Sequence, residues 1–73
     1  MKIDKLSARN VFAGKIVEIK RGTVAAQVKV EIGGGHIVTS SITVDAVDHL
    51  GLKPGSEVVA IIKASSVMLG IPD

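Results

Sequence analysis

The side chains best suited to chemistry lie in two short segments near opposite ends of the chain. Hydrogen-bond donors and positive charge, without any carboxylate, occur together in Ser7-Ala8-Arg9-Asn10 and again in Lys63-Ala64-Ser65. An anion presents acceptors to its binding site, so hydroxyls, backbone N–H groups and cations are the groups that hold it. The two segments therefore predict a site for a small anion.

Each segment has identifiable donors for such a site. Ser7 can donate its hydroxyl and Lys63 can supply charge, while the backbone amides of Arg9 and Ala64 are available because neither residue is proline. Cations close to these donors offset the cost of removing a charged ligand from water. A tetrahedral dianion, which has only acceptors, matches this set.

Other chemistries find little support in the sequence. There is no cysteine, and the two histidines, His36 and His49, have no Ser or Asp partner in a motif, so we expect no catalytic residue, no enzyme and no side-chain metal ligand. Phe12 is the one aromatic residue, which leaves no platform for stacking the bases of a single-stranded nucleic acid. A nucleic-acid-binding module and a purely structural self-assembling barrel remain the alternatives to anion binding.

The length of 73 residues predicts one domain over 1–73. So small a domain buries little surface, and without disulfides or a metal it needs partner subunits for stability. In Val58–Ile62 both strand faces are apolar, so one face must pack inside the domain and the other against a second subunit. We expect a homo-oligomer.

Charge and hydropathy bound the location of the protein and its partners. The net charge is +2, with lysines spread along the chain, so a polyanion such as nucleic acid is not an expected partner. The longest aliphatic run, Val58–Ile62, is too short to span a bilayer, and the first residues lack the apolar core of a signal peptide. We expect a soluble cytoplasmic protein with no membrane partner.

Strand patterns dominate the elements that must position the anion site. Alternating apolar residues predict a strand from Val24 to Ile32, preceded by a strand over Ala13–Lys20 and followed by one over His36–Ile42. Arg21-Gly22 and Gly33-Gly34-Gly35 are typical of the turns between them. Three strands should therefore form a meander.

The second half of the sequence changes period once. Apolar residues at helical spacing predict a short helix with Thr43 as its N-cap and Gly51 as its stop. Strands are then expected over Ser56–Lys63 and from Val67 to Leu69. The predicted fold is all-β, a small five-stranded Greek-key barrel of the OB type with one helix between strands 3 and 4.

Motifs along almost the whole chain resemble those of the molbindins, small molybdate-binding proteins also called Mop or molybdenum-pterin-binding proteins. The matching segments are Ser7-Ala8-Arg9-Asn10, Gly14–Lys20, the Gly22 turn, Glu31–Gly35, Leu50-Gly51-Leu52 and Ile62–Met68. The resemblance implies an OB-type barrel, assembled as a hexamer, that binds molybdate or tungstate between subunits. No organic cofactor is expected, since no set of aromatics for stacking a pterin is visible in the sequence, and whether any pterin binds stays open. The resemblance also leaves open whether the anion is stored, buffered or delivered, and whether Ser40, Ser41 or Ser66 form additional sites.

By the same resemblance, a set of donors from adjoining subunits holds the oxyanion. The residues so implied are Ser7, Arg9, Thr43, Lys63, Ala64 and Ser65. The first two would come from one subunit and the last three from its neighbour, with the threonine at the helix start adding a hydroxyl.

Overall fold

The computed structural model describes residues 6–73, which form one curled antiparallel sheet with a short helix. The elements are β1 (Asn10–Arg21), β2 (Ala25–Glu31), β3 (Ile37–Thr43), α1 (Val44–Leu50), β4 (Glu57–Ile62) and a 3-10 turn (Ala64–Ser66). The strand order in the sheet is β3-β2-β1-β4. The predicted mostly-β class and the single helix between the third and fourth strands are thus confirmed.

The long strand β1 belongs to two ladders and joins the halves of the sheet. From Asn10 to Lys15 it pairs with β4, and from Lys15 to Arg21 it pairs with β2. A register shift between Ile16 and Glu18 marks a β-bulge, which bends the strand and increases its twist. This bend lets one strand serve both halves of a curled sheet.

Close approach of β1 to β2 depends on Gly14. A Cβ atom at this position would lie 2.6 Å from the carbonyl oxygen of Glu31 and 2.7 Å from Cγ1 of Val30. Both distances are shorter than real Cβ contacts allow. The backbones can therefore pass here only because Gly14 has no side chain.

The core lies on the inner face of the sheet, under α1. Among residues 6–73 the buried side chains are Ile16, Ala26, Val28, Val30 and Val47. The alternation predicted for the second strand is confirmed at three of these positions. It fails at Val24, which is 73% exposed because it lies in the turn before β2 begins at Ala25.

The predicted limits of the helix are confirmed. The side-chain oxygen of Thr43 accepts a hydrogen bond from the amide of Ala46 at 3.0 Å, as an N-cap does. Gly51 ends the helix in the left-handed conformation, with φ of 65°. His49 lies exposed in the last turn of the helix.

The first and last strands differ most from the sequence-based expectation, whereas the other strand ends shift by one residue. β1 begins at Asn10, three residues before the predicted Ala13, because its first residues pair with β4. The predicted fifth strand does not form within residues 6–73, where four strands are found. The residues from Val67 to Asp73 have no regular structure, and Met68, Leu69 and Ile71 are 90%, 95% and 96% exposed. The part of their own chain that the structure describes leaves these apolar side chains uncovered.

Helices long and apolar enough to cross a membrane are absent from residues 6–73.

Candidate anion site at the end of the β1–β4 ladder

The two donor-rich segments meet at one end of the sheet, which we call the anion end. It consists of residues 7–9, the terminal ladder pair Asn10 and Ile62, and residues 63–66. Because β1 begins at Asn10, β4 ends at Ile62 and the two are antiparallel register partners, Arg9 and Lys63 leave the same edge of the sheet. Residues 54 positions apart in the sequence are thereby brought close together.

Backbone geometry after β4 exposes amide donors. In the turn that follows Lys63, the amide of Ser66 donates to the Lys63 carbonyl at 2.8 Å and that of Val67 to the Ala64 carbonyl at 3.3 Å. Among residues 6–73 no backbone carbonyl accepts from the amides of Ala64 and Ser65. The first amides of a helical turn are left without intrahelical partners in this way, and they can serve a ligand instead.

The electrostatics of the anion end favour negative ligands. Neither Arg9 nor Lys63 has a carboxylate within 4.0 Å in the part of the chain that the structure describes, and both are exposed. Over the same residues, the one ion pair joins Arg21 to Asp48 at 3.0 Å. That pair lies where β1 ends, at the opposite end of the strand. Positive charge at the anion end is thus available to a ligand.

Five of the six residues predicted for the site lie at the anion end and are exposed there, namely Ser7, Arg9, Lys63, Ala64 and Ser65. The sequence-based interpretation drew them from two neighbouring subunits, whereas the structure brings them to the same end of one chain.

Thr43 is not brought together with the other five. It ends β3 opposite Ala25, the first residue of β2, and so lies toward the far end of β1. The strand β1 has 12 residues, which corresponds to about 35 to 40 Å of extended backbone before bending. Thr43, α1 and the end of β1 form what we call the helix end of the sheet.

One residue of the anion end was not assigned a role from sequence. Asn10 donates a side-chain hydrogen bond from Nδ2 to the carbonyl oxygen of Ile62 at 3.2 Å, in a partly buried position. Nothing in the sequence indicates this contact, because the two residues are 52 positions apart. Only the pairing of β1 with β4 brings them together.

The described residues offer no conventional metal centre. No group of three or more His, Cys, Asp or Glu side chains capable of holding a metal ion occurs among residues 6–73. An inorganic ligand at the anion end would therefore be held through its oxygen atoms by donors, without direct side-chain bonds to the metal.

The structure is thus a small β-domain, a curled antiparallel sheet with a single helix and with one donor-rich end that suits an anion. The TOBE domain model matches residues 6–69. The chain belongs to the TOBE domain family and, within it, to the molybdenum-pterin-binding (Mop) proteins.

Two relatives show how much of the chain is shared. A probable molybdenum-pterin-binding protein of Haemophilus influenzae is 49% identical over 67 residues, covering 92% of this chain and 97% of the relative. Molybdenum-pterin-binding protein 1 of Clostridium pasteurianum is 47% identical over 64 residues, covering 88% and 94%. The similarity thus spans nearly all of each relative.

Solved structures share the fold at similar identity. MopII from Clostridium pasteurianum superposes with a TM-score of 0.86 and 45% identity, covering 92% of this chain and all of that one. ModG, a cytoplasmic molybdate-binding protein with molybdate bound, gives a TM-score of 0.89 and 48% identity, covering 93% of this chain and 48% of ModG.

Proposed function

We propose that this protein binds molybdate or tungstate at donor-only sites and holds it in the cytoplasm for storage or homeostasis. The observation that carries the proposal is the anion end, where two cations and two amides without a backbone acceptor among residues 6–73 lie together. Support comes from ModG, a molybdate-binding protein with molybdate bound and 48% sequence identity. No catalytic step and no organic cofactor are part of the proposal.

The proposed site uses hydroxyl, amide and cationic donors together. Ser7 and Ser65 donate hydroxyls, Ala64 its amide, and Arg9 and Lys63 supply positive charge with further donors. Charge-assisted hydrogen bonds of this kind are about twice as strong as neutral ones. Because every group can donate and the cations and amides can only donate, the site favours a ligand whose oxygens all accept.

Selectivity follows from the protons that each anion carries. Phosphate near neutral pH bears at least one proton, and its O–H would face another donor, a mismatch that costs about 1 to 3 kcal/mol. Sulfate has no proton but is smaller than molybdate, so the size of the site must discriminate against it. Tungstate is nearly the same size as molybdate, and we expect little preference between them.

Surface exposure supports assembly of several copies. The chain has an accessible surface of 5857 Å², whereas a compact monomer of this length has about 4,200 Å². The excess of about 1,600 Å² reflects an open shape with an uncovered tail, which suits a subunit of an assembly such as the hexamer that the resemblance implies.

In such an assembly, a neighbouring copy can supply the fifth strand of the barrel. An apolar cleft separates the edges of β3 and β4, with walls that include Val28, Val38, Ile42, Val58, Ala60 and Ile62. The apolar tail Val67–Ile71 is exposed in its own chain. We propose that the tail of one copy lies in the cleft of another and completes a five-stranded Greek-key barrel there.

Insertion of the tail of one copy into the cleft of another accounts for anion sites between subunits. Ala64–Ser66 immediately precede the tail, so a tail inserted into a second copy carries the 63–66 turn toward that copy. Thr43 then joins a site from a neighbouring subunit, since it lies far from the anion end of its own chain. Anion binding and assembly are coupled in this scheme.

The decisive experiment is calorimetric titration of the purified protein with molybdate, with sulfate and phosphate as controls and the oligomer mass measured by light scattering. We expect saturable molybdate binding with weak or absent responses to the other two anions. Lys63→Ala should lose binding and keep its oligomer. Lys53→Ala removes the same charge at an exposed turn before β4 and should bind as the wild type does.

Two results would contradict the proposal in different ways. An assembled wild-type protein that gives no heat with molybdate or tungstate leaves the structural self-assembling barrel as the better reading. Equal losses from Lys63→Ala and Lys53→Ala would show that general charge attracts the anion, and that the anion end is not a built site.

A further inference from the structure

We propose that Asn10 is a positioning residue for the anion site, an inference that rests on the proposed function. Its side-chain amide holds the carbonyl of Ile62 and thereby orients the donors that follow in residues 63–65. Asn10 itself need not touch the ligand.

The contact lies at the one point where the two site segments are joined. Asn10 and Ile62 form the last pair of the β1–β4 ladder, and their next neighbours are Arg9 and Lys63. The Nδ2 atom of Asn10 donates to the Ile62 carbonyl oxygen at 3.2 Å across this pair. A terminal ladder pair opens easily unless a further contact closes it.

Peptide planarity transmits the effect of this bond to the site. The Ile62 carbonyl and the Lys63 amide belong to one planar unit, so fixing the carbonyl fixes the plane from which Lys63 departs. Lys63 is extended, with φ of −61° and ψ of 133°, and the 3-10 turn starts directly after it. The direction of the Ala64 amide therefore depends on the plane that Asn10 holds.

Partial burial strengthens the restraint. Asn10 is half-buried, whereas the donors it would orient are exposed to solvent in the isolated chain. A hydrogen bond shielded from water is harder to exchange for one to solvent. The anion end thus has one sheltered polar contact beneath an exposed row of donors, an arrangement suited to presenting them in a fixed geometry before the ligand arrives.

The test compares Asn10→Ala and Asn10→Leu with the matched control Gln27→Ala. Leucine keeps the branched outline of asparagine but has no donor, and alanine removes the side chain, so agreement between the two variants assigns the effect to the hydrogen bond. Gln27 is an exposed carboxamide in the β2–β3 ladder, and its removal deletes the same chemical group away from the site. Molybdate affinity is measured by calorimetry and oligomer mass by light scattering.

We expect both Asn10 variants to bind molybdate at least tenfold more weakly with unchanged oligomer mass, and Gln27→Ala to bind within twofold of the wild type. Amide hydrogen exchange of the ligand-free protein provides the readout that general destabilisation would not give. Exchange at Ser66 and Val67, whose amides donate within the 3-10 turn after Lys63, should speed up in the Asn10 variants while exchange in β2 stays unchanged.

Failure of this inference is separable from failure of the proposed function. If the wild type does not bind molybdate, the function is wrong, and the exchange measurement still tests positioning. If the wild type binds and either folded Asn10 variant binds within twofold, or exchange at Ser66 and Val67 is unchanged, Asn10 is not a positioning residue. Loss of the oligomer in both variants would likewise overturn the role and make Asn10 a structural residue.

Discussion

The helix end and the anion end of the sheet differ in how much of their structure one chain completes. At the helix end Val47 is 1% exposed, Thr43 caps α1, and the amide of Val44 donates to the carbonyl of Val24 at 2.7 Å. At the anion end the terminal pair, Asn10 and Ile62, is only half-buried and the residues on either side are mostly exposed. The helix end is packed and capped by its own chain, whereas the anion end leaves donors and apolar surface exposed. The proposed binding function thus lies where the fold leaves polar groups without partners among residues 6–73.

The largest expected effect comes from breaking the junction between the two ends. Gly14→Val places side-chain atoms against the Glu31 carbonyl and Val30, which a packed backbone cannot move aside cheaply. We expect the free energy of unfolding to fall by about 3 kcal/mol or more. Denaturant unfolding followed by circular dichroism measures the loss.

Ala25→Val is the matched control, since it creates the same residue at an exposed position of β2. Its stability should stay within about 0.5 kcal/mol of the wild type. Equal stability of the two variants would mean that β1 does not approach β2 as closely at Gly14 as the structure has it.

A second pair of substitutions separates folding from assembly. Val47→Ala removes buried methyl groups at the helix end and should lower the free energy of unfolding by about 2 kcal/mol, with oligomer mass unchanged. Ile61→Ala lies on β4, where its side chain is 49% exposed in the lone chain. We expect it to promote dissociation of the oligomer on dilution, seen by sedimentation. If Val47→Ala dissociates the oligomer more readily than Ile61→Ala does, folding and assembly do not depend on different regions of the molecule.

A smaller effect is expected from the cap of α1. Thr43→Ala loses the bond to the Ala46 amide and should destabilise the protein by about 1 kcal/mol, while Thr43→Ser should restore most of it. Both variants are then titrated with molybdate. An affinity loss in Thr43→Ala that serine reverses supports the proposed ligand role in the assembly, whereas an unchanged affinity limits Thr43 to capping.

The smallest effect should come from the exposed ion pair of the helix end. The hydrogen bond and charge of Asp48 raise the pKa of Arg21 above its ordinary value, which is already far above neutral. A raised pKa contributes stability below the unfolded value and loses it only as pH rises through the folded value, so Arg21 adds no pH dependence near neutrality. We expect Asp48→Asn to be nearly indistinguishable from the wild type in thermal melts at high salt. A large, salt-independent loss would contradict this.

Much of the fold could be predicted from local sequence patterns. The alternation around Val28, the threonine before the helix and Gly51 after it report on neighbouring residues, and the structure agrees at each point. The tail from Val67 has strand-like residues too, but a strand also needs an edge within reach, and within residues 6–73 the tail pairs with no strand. Sequence patterns indicate what a segment prefers and not whether a partner is within reach.

The candidate site was predictable in its chemistry and only partly in its geometry. Donors without carboxylates identified Ser7, Arg9 and Lys63 directly from residue types. Their position at one end of the same chain depends on the pairing of Asn10 with Ile62, a contact between distant residues that no local pattern encodes. The same limit explains why the distance of Thr43 from the other donors could not be foreseen.

The sharing of β1 between two ladders has a consequence for insertions and deletions. Successive strand residues face opposite sides, so the loss or gain of one residue between Gly14 and Ile19 would turn one half of β1 over relative to the other. The residues of β1 that pair with β2, or those that pair with β4, would then turn their apolar side chains to the outer face of the sheet. Insertions and deletions should therefore be tolerated in loops such as Gly33–Gly35. Along β1 they should be selected against, because the number of residues in this strand sets the register of both ladders.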